Sequence, residues 1–207
     1  MSECYLINSE FTSADLKRLP SPEEANTIRN YFFSTAVEGY EKSIGTRWAR
    51  TWSPDEAVGQ LLSPAWLNPV VAQALFGVDL LALADSRLWR QVPSKPGALF
   101  EQKVSSDFTK EITKQIPSVS HDLSAGLLLI VVGSHARMEF THGIQAMRAV
   151  MQSTGMVVGA LTNQALALDM QPSIISHFNN SAINRLVAAD GVDRAAVAIF
   201  SAHSNSK

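Results

Sequence analysis

Between Gly143 and Leu168 the chain runs without a proline, and this stretch limits the fold more than any other. About 26 residues of unbroken helix would be roughly 39 Å long. Most of it is apolar all round, which predicts a buried helix. One stripe differs: Gln145, Arg148, Gln152, Gly155, Gly159 and Asn163 follow one another at steps of three or four and so share a face. Glycine inside a helix costs about 1 kcal/mol relative to alanine. Two on one face point to something packed very close, either a second helix in a dimer core or a flat cofactor lying along the stripe. Arg148 in such a setting needs a carboxylate, phosphate or carbonyl partner.

The rest of the chain is read around that helix. Ser21-Pro22-Glu23-Glu24 is a helix start, with a capping serine, proline at the first helical position and early acids, and the helix runs to about Gly39. Ser53-Pro54-Asp55-Glu56 repeats the device as a capping box and opens a short helix ending near Leu62. Pro69 to Ala84 is apolar on most faces and reads as a buried helix. Pro93 to Gly97 is a loop by composition, and Ser105 to Leu123 is the most polar stretch, read as irregular. Leu127 to Val132 is a branched apolar run before Gly133 and predicts a central strand; Ala195 to Phe200 predicts another. Between them, after the long helix, come a loop over Pro172 to Asn180 and a short helix over Ser181 to Ala189. Helices early and strands late favour a mixed α+β domain.

Composition narrows the function classes. The chain has 207 residues, 46% of them hydrophobic and 17% charged, enough for one domain with a real core and a short extension. Seventeen basic against nineteen acidic residues, net −2, argue against a general nucleic-acid binder or a polybasic membrane binder. A single cysteine, Cys4, rules out an intrachain disulfide and a cysteine-cluster metal site. HExxH, CxxC, P-loop and GxGxxG motifs are all missing. The opening MSECYLINSEF lacks the layout of a signal peptide, and the apolar runs are too short to span a bilayer, so a cytoplasmic protein is expected.

Several segments taken together resemble a known family. Met147-Arg148, Gly155 seven residues after the arginine, the apolar helix, Ser176-His177-Phe178-Asn179-Asn180 and Arg185-Leu186-Val187-Ala188-Ala189-Asp190-Gly191 follow without gaps the C-terminal half of the FMN-dependent nitroreductase superfamily. The nearer resemblance is to its SagB-like azoline and peptide oxidase branch. Upstream, Arg47-Trp48-Ala49-Arg50-Thr51-Trp52-Ser53 resembles that branch's RSxRxFS motif, and Pro93-Ser94-Lys95-Pro96-Gly97-Ala98-Leu99 resembles its PSGGALYP loop. The chain departs from the pattern at Trp48, in place of a serine. It departs again at Gly159-Ala160, where the family has a glutamine–asparagine pair, and at Thr141-His142, where azoline oxidases carry lysine–tyrosine.

The resemblance implies a nitroreductase-like fold with a central, mostly antiparallel sheet flanked by helices, dimeric around the long buried helix. It divides the chain into a helical N-terminal extension, 1–45, and a nitroreductase-like domain, 46–207. It implies FMN held by Arg47 and Arg50, whose guanidinium groups suit phosphate, by Pro93, Ser94 and Gly97 of the loop, and by Arg148, Asn163 and His177. His142, expected at the N-terminus of the long helix and therefore neutral, is the candidate base. The implied reaction is dehydrogenation of a peptide-derived compound such as an azoline or cyclic dipeptide, with hydride passing to the flavin and oxygen reoxidising it. The implied partners are a second copy and a small partner protein. Two alternatives stay open, an NAD(P)H-dependent nitro or quinone reductase and a flavin-free scaffold subunit.

Overall fold

The run Leu127 to Val132 is branched, apolar and continuous, so it needs cover on both faces. In the computed structural model it is the middle of strand β5, Gly126–Ser134, and these residues are fully buried. The structure describes residues 19–44, 48–51, 57–84, 87–91, 98–102, 108–116 and 126–204. The elements before β5 are α1 (Pro22–Ile44), β1 (Trp48–Thr51), α2 (Ala57–Leu67), α3 (Pro69–Ala74), β2 (Val78–Ala84), β3 (Arg87–Gln91), β4 (Ala98–Gln102) and α4 (Phe108–Lys114). After it come α5 (His135–His142), a short 3-10 turn (Gly143–Gln145), α6 (Ala146–Ala167), β6 (Met170–Ile175), α7 (Asn180–Leu186) and β7 (Arg194–Ser204). The strands form one seven-stranded sheet in the order β1-β4-β3-β2-β5-β7-β6, with every neighbouring pair antiparallel.

Side chains alternate across this sheet and give it two cores. Leu80, Ala82, Trp89, Leu129, Val131 and Phe200 face α2, α3 and α6, meeting Leu61, Val71, Val157 and Leu161. Leu81, Leu83, Leu88, Ile130 and Ile199 point the other way, toward Phe108 and Ile112 of α4 and Ile183 of α7. A third cluster joins α1 to the body: Phe32 and Phe33 pack on Phe76, Met138, Ala149 and Val150. The rings of Phe32 and Phe76 meet edge to face at 5.4 Å. Ser21 caps α1 as expected, and Glu24 completes a capping box: the Glu24 N–H donates to Ser21 Oγ at 3.2 Å, and the Ser21 N–H donates to Glu24 Oε2 at 2.8 Å.

Four expectations need correction. Pro69 to Ala84 is not one helix: Asn68 caps the short α3, and the chain turns into β2, the central strand. A strand buried on both faces is apolar at every position and loses its period of two, so periodicity cannot tell it from a buried helix. Pro172 to Asn180 is not a loop throughout, because Met170–Ile175 is an edge strand paired with β7. The polar stretch Ser105 to Leu123 contains a helix, Phe108–Lys114, held by Phe108 and Ile112. The long helix is also broken at its start, since α5 and the 3-10 turn precede α6.

Strand β7 carries a bulge. Val131 pairs with Ala198 and Val132 with Ala196, which leaves Val197 extra. The Ala196 N–H donates instead to Asn184 Oδ1 at 2.7 Å, tying α7 to the sheet. Opposite the bulge lies Gly133, where a Cβ would come within 2.5 Å of Val150 Cγ1 and 3.1 Å of Val197 Cγ1. Replacing Gly133 with alanine should therefore destabilise the protein by about 1–3 kcal/mol through overpacking. Urea unfolding would register this as a lower midpoint at unchanged slope, and an unchanged midpoint would contradict the packing argument.

Candidate functional site

Helix α6 is the platform of the expected site. Its inner face, Ala149, Val150, Ser153, Val157, Val158, Leu161 and Ala165, is buried against the sheet and α2. The expectation of burial all round fails within a single chain: Met147, Met151, Met156 and Leu166 are exposed, as are Arg148, Gln152 and Asn163. A Cβ built on Gly155 or Gly159 meets nothing within 4 Å. The stripe read from the sequence is thus a flat, methionine-rich outer face, and nothing among the described residues explains the two glycines. Arg148 and Asn163 lie about 22 Å apart along the axis, so they mark opposite ends of this face.

His142 is the last residue of α5, not the first of the long helix. The long helix starts four residues further on, at Ala146. His142 is half-buried, and its Nδ1 lies 2.7 Å from Thr141 Oγ1. Burial, more than the charge of Arg29, holds its pKa below the usual histidine value. It is neutral at pH 7 as expected, but for a different reason. His177 is exposed beyond the end of β6, with Nδ1 3.3 Å from Ser176 Oγ, while the neighbouring Phe178 packs on the second core. Arg50 lies in β1. Arg47, Pro93, Ser94 and Gly97 lie outside the described residues.

The strongest electrostatic feature escaped the sequence reading. Asp79 in β2 is 2% exposed. Its Oδ1 accepts from Arg137 Nη1 at 2.8 Å and its Oδ2 from Arg194 Nη2 at 2.9 Å, with Arg90 Nη1 3.5 Å from Oδ2. Burial pushes the carboxyl up, but the three guanidinium groups outweigh it and hold Asp79 well below the usual carboxylate range. Such a group stays ionised at neutral pH and cannot act as a general acid. It fastens β2 to β3, α5 and β7, and the Arg137 guanidinium also stands 4.7 Å over the Phe32 ring of α1.

A second unread feature is Gln91, at the end of β3. It is buried, and neither Nε2 nor Oε1 has a hydrogen-bond partner among the described residues. It immediately precedes the 92–97 connection, the segment that resembles a flavin-binding loop. The open glycine face of α6, with a guanidinium at one end and a carboxamide at the other, leaves room for a planar ligand. The described residues therefore fit FMN. No group of three or more His, Cys, Asp or Glu among them could hold a metal ion. No described helix is long and apolar enough to cross a membrane.

Together the antiparallel seven-stranded sheet, the long helix packed on one face and the helices on the other define a nitroreductase-like α+β fold. One similar structure is a chain of the E. coli microcin synthetase McbBCD complex with truncated pro-MccB17 bound: TM-score 0.59, 12% identity, 96% of this chain and 99% of that chain covered. A candidate nitroreductase from Ralstonia eutropha JMP134 matches with TM-score 0.57 and 12% identity over 78% of each chain. A candidate nitroreductase from Anabaena variabilis ATCC 29413 matches with TM-score 0.53 and 15% identity over 84% of this chain and 46% of that one, so the present chain spans about half its length. No family model and no curated protein matches the sequence.

Proposed function

We propose that this protein is a cytoplasmic FMN-dependent oxidoreductase that dehydrogenates a peptide-derived substrate, such as an azoline or a cyclic dipeptide. The observation that carries this reading is the fold match to a chain of the microcin synthetase complex, which extends almost from end to end of both chains. That structure is a complex with truncated pro-MccB17 bound, which favours a peptide-derived substrate and a partner protein here as well. Residues 46–207 form the catalytic domain and residues 1–45 an added helical arm. Two copies pair through the outer face of α6, where Gly155 and Gly159 let a second backbone approach closely.

The cofactor, when bound, supplies the hydride acceptor. Arg47 and Arg50 would hold its phosphate, Pro93, Ser94 and Gly97 would bind its ring, and Arg148, Asn163 and His177 would complete the site. Neutral His142 accepts the substrate proton. Because burial lowers its pKa, it remains a base at pH values where an ordinary histidine is already protonated. The acid limb of the rate profile should therefore fall below about pH 6.5.

The absorption spectrum of the freshly purified protein, with and without added FMN, tests the reading first. Bands near ~370 and ~450 nm are expected of a bound flavin. A protein that stays colourless with FMN, even beside a candidate partner, would sink it. His142→Ala should keep the flavin bound and slow its reduction by substrate by about 100-fold or more; an unchanged rate removes His142 from the mechanism. The two candidate nitroreductases of like fold favour one alternative, an NAD(P)H-driven reductase. Bleaching of the flavin by NAD(P)H alone would select it.

A further inference from the structure

Thr141 and His142, the last two residues of α5, form a close polar pair at the candidate base. Thr141 is buried, and its Oγ1 stands 2.7 Å from His142 Nδ1. At that distance a hydrogen lies between the two atoms, because facing lone pairs would repel. A hydroxyl and an imidazole nitrogen can share it in two ways. Either the hydroxyl donates and the ring carries its own hydrogen on Nε2, or Nδ1 donates and Nε2 keeps the lone pair. Only the second arrangement leaves a base at Nε2.

Two observations choose between them. Thr141 has one hydroxyl hydrogen, and the Met138 carbonyl oxygen accepts it at 3.3 Å, one turn back in the same helix. The Oγ1 lone pairs are then what the ring meets. The Met138 carbonyl also acts on the ring itself. Burial lowers the His142 pKa most, but this backbone group opposes it, and a carbonyl does so only by accepting from a ring N–H. Acceptors are what the end of a helix offers, since its last carbonyls have no partner within it. Nε2, by contrast, has no hydrogen-bond partner among the described residues and is not sealed from solvent. The β-branch of threonine, stiff about its first torsion, keeps the hydroxyl in place.

From this we infer that Thr141 is a positioning residue: its hydroxyl accepts from His142 Nδ1–H, fixes that tautomer and leaves Nε2 as the one proton-accepting atom of the ring. Which nitrogen of a histidine is protonated is set by the hydrogen bond the other makes. The inference rests on the proposed function for its use, since the base so prepared is the one that takes the substrate proton. The tautomer itself belongs to the folded chain, with or without a cofactor.

Nitrogen-15 NMR of the full-length, flavin-free protein labelled on histidine reads the two ring nitrogens separately at about pH 8, above the histidine pKa. The signals missing from His142→Ala assign the ring. The wild type should show Nδ1 protonated and Nε2 bare. Thr141→Val, similar in shape but lacking the hydroxyl, should move the tautomer ratio about tenfold toward Nε2–H, the effect of one hydrogen bond. Thr141→Ser should restore it. A wild-type ring protonated on Nε2 would overturn the inference, as would a ratio that Thr141→Val leaves unchanged. The wild-type spectrum decides by itself should the valine variant not fold. A protein that takes up no FMN would sink the proposed function and leave the tautomer as measured.

Discussion

Replacing Asp79 with asparagine should cost about 3–5 kcal/mol of unfolding free energy, the loss expected when one partner of a buried ionic cluster is removed. The charge arithmetic makes the direction firm. Arg90, Arg137 and Arg194 converge on this carboxylate, and Arg90 is itself 3% exposed. Without the anion, three like charges stand together in a poorly solvated site. Guanidinium unfolding of Asp79→Asn against wild type measures the cost, and a difference below about 1 kcal/mol would show that the cluster is solvated and weak. The same residue sets an acid limit. Its folded pKa is depressed, so its stabilisation is fully present above the unfolded value near 3.8 and is lost as pH falls below it. Below pH 3.8 the stability of the wild type should therefore fall more steeply than that of Asp79→Asn.

Leucine at both Gly155 and Gly159 should leave the folded monomer intact and weaken the proposed pairing. Nothing lies within 4 Å of either added Cβ, and each glycine removed from the helix interior favours α6 by up to about 1 kcal/mol. If the outer face of α6 is where two copies meet, the added side chains keep the backbones apart. Self-association should weaken by roughly 30-fold or more, the effect of losing a central contact. Sedimentation and flavin uptake together read the result. The expected outcome is a monomer with an equal or higher thermal midpoint that no longer retains FMN. A variant that still pairs and still takes up flavin would remove this face from the proposed site.

The two features behind these predictions differ in how far the sequence revealed them. The glycine stripe was legible because helical spacing writes neighbours three and four residues apart. The Asp79 cluster was not, since Arg137 is 58 residues away in sequence and Arg194 is 115 away. No local pattern links charges that only the sheet order brings together. Strand β5 was legible from its branched apolar run. Its neighbour β2 was not, because burial on both faces erased the alternation and the preceding Asn68-Pro69 cap announced a helix that lasts only to Ala74. His142 teaches a further lesson. No local pattern marks the break at Gly143, whose φ of 50° ends α5 just after the histidine. The neutral state was foreseen, but through a dipole that is not there. Gln91 could have been noticed as a polar residue closing a strand of leucine and tryptophan, though not that its amide would lack a partner.

The strand order has a consequence for how the chain is made. Strand β7 lies between β5 and β6, yet it is the last of the seven to be synthesised. Until it emerges, β5 has one open edge, β6 has no neighbour in the sheet, and Phe200 is missing from the first core. The sheet therefore stays incomplete beside β5 until Arg194–Ser204 has been made. A ribosome that pauses before Arg194 would hold an unpaired apolar edge in the open, ready to join the same edge of a neighbouring nascent chain.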